Sequence, residues 1–361
     1  MTTSETARVP AAEVAAFIAR VLEAEGLPGD DARSVGALMV EADLLGGDGH
    51  GIFRLPRYVE RLRAGGFNPR PDIRIDRAKG AMALVDGDNG FGHLVMKRCA
   101  EEATARAREH GIGWVGAHHS NHAGAAAVYA QMPMAADMIG LYVAVGNANH
   151  MAPWGGIDLL LSTNPIAVAI PAVRQPIVLD MATTVAAYGK VKLAAQRGEP
   201  MPEGWMIDRD GNPLTDPNRA EGGSLLPIGG PKGFGLSLVF GLLAGTLNGA
   251  AMGRDVVDYN ADDDSVTNTG QFIVAIDIGA FRDLDGFKAD VDRIGAEIKS
   301  AQLRPGFDGI RLPGERALAE RARRKADGIP VAAALRDRLD AVARDTGVAP
   351  LGGASNDGGT R

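Results

Sequence analysis

Short runs rich in Val and Ile recur between about residues 76 and 284, separated by segments of helix length. The runs are Ala81–Val85, Ile112–Val115, Ile139–Val145, Ile166–Ile170, Ile177–Leu179 and Phe272–Ile276, with helical segments such as His93–Glu109 and Ala123–Met138 among them. Strands that alternate with helices predict an α/β domain, since each sheet face must be covered by the helices between its strands. The flanks differ. Val14, Phe17, Ile18, Val21 and Leu22 share one helical face, as do Val35, Leu38, Met39, Ala42 and Leu45, and a third amphipathic stretch, Leu55–Leu62, stops at Gly65-Gly66. Helical patterning returns at 286–300, 315–326 and 331–345. A chain of 361 residues exceeds one ordinary core. The expected organisation is an N-terminal helical domain, 5–75, completed by 285–345, an α/β domain at 76–284, and a polar, Gly-rich tail, 346–361, read as disordered.

One segment tests whether the chain is membrane-bound. No charge interrupts Gly233 to Gly253, and Gly241, Gly245 and Gly249 have the spacing that lets helices pack closely. The segment is also Gly-rich, contains Asn248 and stands alone, so a buried helix with one small-residue face, at a subunit contact, is the expectation. The composition, 45% hydrophobic and 23% charged, is that of a globular protein, and a net charge of -7 without a basic run excludes a nucleic-acid partner. Cys99 is the sole cysteine, and no basic segment followed by an apolar run opens the chain. Both features point to a reducing, cytoplasmic setting with no membrane partner.

Two glycine motifs do not carry the chemistry they suggest. GIGWVG at 111–116 matches G-x-G-x-x-G, but a helix precedes it and a strand runs through it. The fingerprint needs the reverse order, so that a helix N-terminus receives the pyrophosphate. GGPKGFG at 229–235 lacks the spacing of a P-loop. Any nucleotide must be held in another way.

Four polar, Gly-rich segments remain as places for chemistry. In the first, glycines flank His50 and Arg54 follows four residues on, pairing a proton carrier with a carboxylate clamp. The plainer reading, a His capping a helix end beside a surface Arg, stays open. In the second, His118 and His122 are four apart, but no H-E-x-x-H or Cys cluster accompanies them, so no metal is expected. Asn121 reads as a helix N-cap with His122 in the first turn, where the helix dipole favours the neutral imidazole that a base requires. The third holds Ser162-Thr163-Asn164-Pro165 and Asp180-Met181-Ala182 at a strand end, with Gly189-Lys190 beyond. The fourth, Pro231-Lys232-Gly233, opens the uncharged segment and offers a phosphate contact.

Taken in order, DGHGIFRLPRY, HSNHAGAAAVYA, MAPWGG, STNPIAVAIP, DMATT, GK, PEGW, GNPLTDP, LPIGGPKGFGLSL, LAGTLNGA and LPGE resemble the malate/L-lactate dehydrogenase family that is distinct from the Rossmann-fold lactate dehydrogenases. Its relatives include ureidoglycolate, sulfolactate and diketogulonate oxidoreductases and a cyclic-imine reductase. The resemblance runs from about Asp43 to Gly314. It implies a non-Rossmann NAD(P)-binding α/β domain with a mixed sheet, a homodimer, and hydride transfer between NAD or NADP and a small 2-hydroxy or 2-oxo acid. The implied acid/base is His122 or His50, with Lys190 a further candidate in the active site. Arg54 would hold the substrate carboxylate and Thr163 would contact substrate. His122, Gly124, Asp180, Met181, Ala182, Lys232, Gly233, Pro313, Gly314 and Glu315 fall where the family contacts its cofactor. Gly49 stands where many relatives carry a Ser of a proton relay, which shifts the acid/base expectation toward His122. Tyr188 stands where a cyclic-imine-reducing relative carries His, which lowers that substrate class. Reduction of a cyclic imine carboxylate or oxo-sugar acid is the alternative, and a metal-dependent hydrolase using His118, His119 and His122 is the rival outside the class.

Overall fold

The computed structural model describes residues 7–353. A short strand, β1 (Ala7–Val9), leads into three helices: α1 (Ala11–Ala24), α2 (Gly29–Leu44) and α3 (Leu55–Ala64). Then come β2 (Arg74–Lys79), β3 (Met82–Asp86), α4 (Gly92–His110), β4 (Ile112–Ser120), α5 (Ala126–Met134), β5 (Met138–Ala144), β6 (Ile166–Ile170) and β7 (Ile177–Met181). An excursion follows, with α6 (Tyr188–Arg197) and the two-residue strands β8 (Met206–Ile207), β9 (Pro213–Leu214) and β10 (Ser224–Leu225). The chain returns through α7 (Pro231–Ala244) and β11 (Thr269–Asp277), and closes with α8 (Leu284–Lys299), α9 (Glu315–Asp327), β12 (Ile329–Val331) and α10 (Ala333–Thr346).

The main sheet has seven strands in the order β2-β3-β4-β11-β5-β6-β7. Only β3 and β4 pair in parallel, so the sheet is mixed, as the family resemblance implied. Both faces of β11 are covered. Ile273 and Ala275 pack with Ala100, Ala103 and Ala107 of α4, while Phe272 and Val274 pack with Ala244 of α7. The period of two along an extended strand sends alternate residues to opposite layers. The glycines of GIGWVG serve this packing. Gly111 ends α4 at φ 79°, a Cβ on Gly113 would lie 2.0 Å from Ala103 O, and one on Gly116 would lie 2.1 Å from Asn248 Oδ1. β2 has no counterpart in the sequence reading, because Arg74–Lys79 is a polar edge strand with almost every residue exposed.

A helical layer covers one end. Phe17, Ile18 and Leu22 of α1, Met39 of α2, Leu55 and Tyr58 of α3, and Leu339 of α10 form a single buried cluster. β1 and β12 pair antiparallel, joining the two ends of the chain. α9 lies on α2, whereas α8 makes polar contacts elsewhere: Lys288 Nζ donates to Asp137 Oδ1 at 2.5 Å and Arg174 N donates to Asp292 Oδ2 at 3.0 Å. The expectation of disorder from residue 346 needs correction. Leu351 is fully buried in the helical core, and its carbonyl accepts a hydrogen bond from Arg336. The remainder of that segment, 354–361, lies outside the described residues.

The uncharged segment is not one long helix. α7 ends at Ala244, Gly245 takes the cap, and a tight 3-10 turn occupies Thr246–Asn248. Among the described residues, no helix is long and apolar enough to cross a membrane. Gly233, Ser237, Gly241 and Ala244 form the buried face; of the expected Gly241, Gly245 and Gly249 only Gly241 lies on it, since Gly245 caps the helix and Gly249 is exposed beyond the 3-10 turn. The larger side chains point outward, with Leu236 44%, Val239 53% and Leu242 43% exposed.

Candidate active site

The loop carrying His50 and Arg54 is held from beneath by Asp43, the penultimate residue of α2 and 2% exposed. Its Oδ2 accepts the Ile52 amide at 2.9 Å. A Cβ on Gly51 would lie 2.0 Å from the Asp43 carboxyl, so only glycine lets the loop fold this closely. Burial pushes the Asp43 carboxyl up to about 7, opposed by the Ile52 N–H and Arg324. Arg324 reaches in from α9, donates to Asp43 O at 2.8 Å and pairs with Asp48. Helices from both ends of the chain therefore fix one loop. Arg54 closes it: Nε donates to Gly49 O at 2.8 Å and Nη1 to Asn260 Oδ1 at 3.3 Å.

One helical turn beyond Arg54, Tyr58 is fully buried and its hydroxyl lies 2.7 Å from His122 Nδ1. The His50 and His122 rings meet edge-on, 5.8 Å between centroids, and Tyr259 lies 5.5 Å from His122 on another side. The geometry thus brings together His50, Arg54 and His122. It adds Tyr58, Tyr259 and His93, which the sequence reading missed. Tyr58 had a legible signal, since it sits four residues after Arg54 in the same motif; the other two lie in no motif that marks them. Several buried polar atoms here have no protein partner: His50 Nδ1, Tyr259 Oη and both nitrogens of His93. Such groups call for a ligand or ordered water.

The origin of the neutral His122 differs from the sequence expectation. Asn121 caps no helix; α5 starts only at Ala126, after Gly124 at φ 77°. Asn121 is instead wholly buried, donating to Asn89 and Gly90 and accepting from Thr267. Hydroxyl and amide partners on two neighbouring segments outcompete a role at a helix end that is four residues away. His122 is held well below the usual histidine range by burial first, then by the nearby Arg54 cation and by His50 and His93. Burial and Arg54 likewise lower His50 to about 4. Both rings are neutral at pH 7, and each residue is half-buried rather than fully enclosed.

A cleft of about 360 Å³ opens between the layers beside the His50 loop. Gly46, Gly47, Ala125, Ala127, Asp180, Pro313 and Gly314 are among its lining residues. Asp180 Oδ2 accepts the Ala127 amide at 2.9 Å, and its carboxyl is pushed up to about 6 by the surrounding protein although part of the residue stays open. Gly314, at φ 90°, abuts Val178 so closely that a Cβ would lie 2.8 Å from its carbonyl oxygen. Met181 and Ala182 are half-buried at the end of β7. Glu315, at the start of α9, pairs with Lys299 at 2.5 Å. Thr163 is half-buried and its carbonyl accepts both the amide and the hydroxyl of Thr183. Lys190 and Lys232 are exposed in the first turns of α6 and α7, with Gly233 buried against Ile228. No side-chain hydrogen bond among the described residues ties either lysine to the His122 group.

Known proteins share this fold. The sequence profile of the malate/L-lactate dehydrogenase family matches residues 9–340. The chain belongs to that family. Malate dehydrogenase of Pyrococcus horikoshii is 39% identical over 352 residues, covering 95% of this chain and 97% of that protein. The solved sulfolactate dehydrogenase of Methanocaldococcus jannaschii superposes with a TM-score of 0.89 at 36% identity, covering 95% of this chain and 98% of that one. The Δ1-piperideine-2-carboxylate reductase of Pseudomonas syringae superposes at 0.82 with 29% identity, covering 93% and 100%. As a malate/L-lactate dehydrogenase relative the protein is an oxidoreductase, and the family implies a nicotinamide cofactor. The absence of a Rossmann phosphate loop in GIGWVG agrees with membership, because those glycines are spent on helix–strand packing.

Proposed function

We propose that the protein is an NAD(P)-dependent dehydrogenase of a small, malate- or lactate-like 2-hydroxy acid, with Arg54 as carboxylate anchor and His122 as acid/base. The observation that carries this reading is the 2.7 Å contact between Tyr58 and His122, on an imidazole kept neutral by burial and by Arg54. In this reading the cofactor lies along the cleft, which Gly46, Gly47, the first turn of α5 and Asp180 border. Asp180, Pro313 and Gly314 would hold the cofactor there, with Gly124, Met181 and Ala182 adjoining, and Lys232, Gly233 and Glu315 as further family positions. A nicotinamide held there would supply hydride acceptance from C2 of the substrate and, in reverse, hydride donation to it.

The chain's own residues handle the proton and the carboxylate. Arg54 commits Nε and Nη1 to Gly49 and Asn260, and Nη2 is left to take a carboxylate oxygen. His122 Nε2 accepts the hydroxyl proton when Nδ1 carries the hydrogen and donates it to Tyr58 Oη. In the reverse direction, the protonated ring returns that proton to the carbonyl oxygen. His50 sits beside His122 with Nδ1 unpartnered, and the space around Gly49 is open enough for water where relatives place a hydroxyl. Thr163 contacts substrate and Lys190 completes the site in this reading. Reduction of a cyclic imine carboxylate or oxo-sugar acid is the second reading, favoured by the structural likeness to the piperideine-2-carboxylate reductase. Against it, Tyr188 stands where that relative carries a His, and here its ring stacks on His150 at 4.6 Å.

The exposed Leu236, Val239 and Leu242 of α7 support a homodimer, and a buried, solitary Cys99 suits a cytoplasmic setting. Oxidation of NADH and NADPH should be followed with a panel of 2-oxo acids and cyclic imine carboxylates. Turnover on a 2-oxo acid with at least one cofactor is the expected result. Turnover confined to imines would favour the second reading, and none with any acceptor would defeat both.

A further inference from the structure

A second group of histidines lies at the ends of β2, β3 and β4. We propose that Asp86, His118 and His119 bind one divalent transition-metal ion such as zinc, with Asp76 or water in the fourth position. His119 has a left-handed backbone, φ 47°, which breaks the alternation of a strand and brings the two adjacent imidazoles onto one side, 4.4 Å between centroids. Asp86 pairs in register with His118 across the parallel β3–β4 ladder. Asp76 is the extra residue of a bulge in β2, between Ile75 and Arg77, and its carboxylate lies 3.7 Å from His118 Nε2.

Donor atoms of Asp86, His118 and His119 all lie within 4.8 Å of one another, with His119 Nδ1 at 3.0 Å from Asp86 Oδ1. Zinc bonds of about 2.0–2.1 Å in a tetrahedron place neighbouring donors about 3.3 Å apart. The observed separations bracket that value, so small side-chain rotations complete the shell. Two imidazoles with carboxylate oxygens are a donor set that zinc accepts. The protein alone does not satisfy the group: His118 Nε2 is buried and has no hydrogen-bond partner. Arg74 pairs with Asp86 Oδ2 at 2.6 Å and the Asp88 amide donates to Oδ1 at 3.0 Å, which fixes the carboxylate and leaves the second lone pair of Oδ1 to face the ion. Arg74 is itself 54% exposed on its side chain and can relax toward water.

The site differs from the one that the spacing of His118 and His122 suggested, since the fold gives those residues different neighbours. Its role is a clasp. The His119 carbonyl accepts the Asn89 amide, and Asn89 in turn receives Asn121, the residue before His122. A bound ion would tie three strand ends next to the segment that delivers His122, without entering the proton chemistry.

The test uses the untagged full chain, stripped with a chelator and dialysed. Titration with zinc chloride, by calorimetry, should show about one equivalent bound at micromolar or tighter affinity. His118→Asn/His119→Asn should weaken this at least about tenfold while leaving turnover and circular dichroism unchanged. Anomalous scattering at the zinc edge from wild-type crystals should peak among the four side chains, which decides the matter even if the double variant folds poorly. Only millimolar binding, unchanged binding in a folded double variant, or an anomalous peak elsewhere would overturn the proposal. Neither the titration nor the anomalous peak depends on the substrate.

Discussion

Replacing Tyr58 by Phe removes one oxygen atom and little else. The ring would keep its edge contacts with Phe67, Phe91 and His93, between 5.5 and 5.9 Å by centroid, so no cavity opens. What is lost is the 2.7 Å contact with His122 Nδ1. Losing one buried hydrogen bond and leaving its partner unpaired costs about 1–3 kcal/mol. In stability that should appear as a lower urea midpoint with an unchanged m-value. In catalysis the missing oxygen no longer fixes which nitrogen of His122 carries the hydrogen, nor steadies the ring as it gains charge. A similar loss in the transition state, at about 1.4 kcal/mol per factor of ten, lowers kcat by roughly 10- to 100-fold. KM for the acid should stay within about twofold, because Arg54 is untouched. Steady-state kinetics with the best substrate decides it. Wild-type kcat in a variant that has lost stability would refute a catalytic role for the Tyr58–His122 contact.

Gly51→Ala should destabilise the protein by about 2–6 kcal/mol, combining overpacking against Asp43 with the loss of its bond to Ile52 N. Gly49→Ala, where a Cβ meets nothing within 4 Å, should stay within about 0.5 kcal/mol, and urea melts of the pair check the contrast. His93 titrates near 6.5 when unfolded and at about 3 when folded, because burial disfavours the cation and His50 adds to it. Its contribution is therefore full above pH 6.5 and is lost as the pH falls toward 3. Asp43 and Asp180, raised to about 7 and about 6, work in the opposite direction, so the difference between wild type and His93→Gln isolates the effect. From pH 6.5 to 4 the wild type should lose about 3 kcal/mol more than the variant, and parallel pH–stability curves would count against this assignment.

Much of the fold was legible because it rests on periodicity. The apolar runs at Ile112–Val115 and Phe272–Ile276 lie inside β4 and β11, and Gly65 and Gly111 end their helices at positive φ. The strand order was not legible. It depends on β11 crossing back between β4 and β5, a long-range pairing that leaves no local mark. At the site, the linear motifs gave His50, Arg54 and His122. They did not give His93, whose burial comes from tertiary packing at the start of α4, or Tyr259, which arrives on a loop held by Arg57 and Arg61. The error at Asn121 has the same origin. An Asn before a small-residue run looks like a cap, and its buried partners Asn89 and Thr267 are distant in the chain.

The central claim is that His122 moves the proton. His122→Ala, confirmed as folded by circular dichroism, should be compared with wild type in turnover and in the dissociation constant for the reduced cofactor, read by fluorescence. The account predicts that kcat falls by roughly 10²- to 10⁴-fold while cofactor affinity changes by no more than a few-fold. Turnover close to wild type would contradict it.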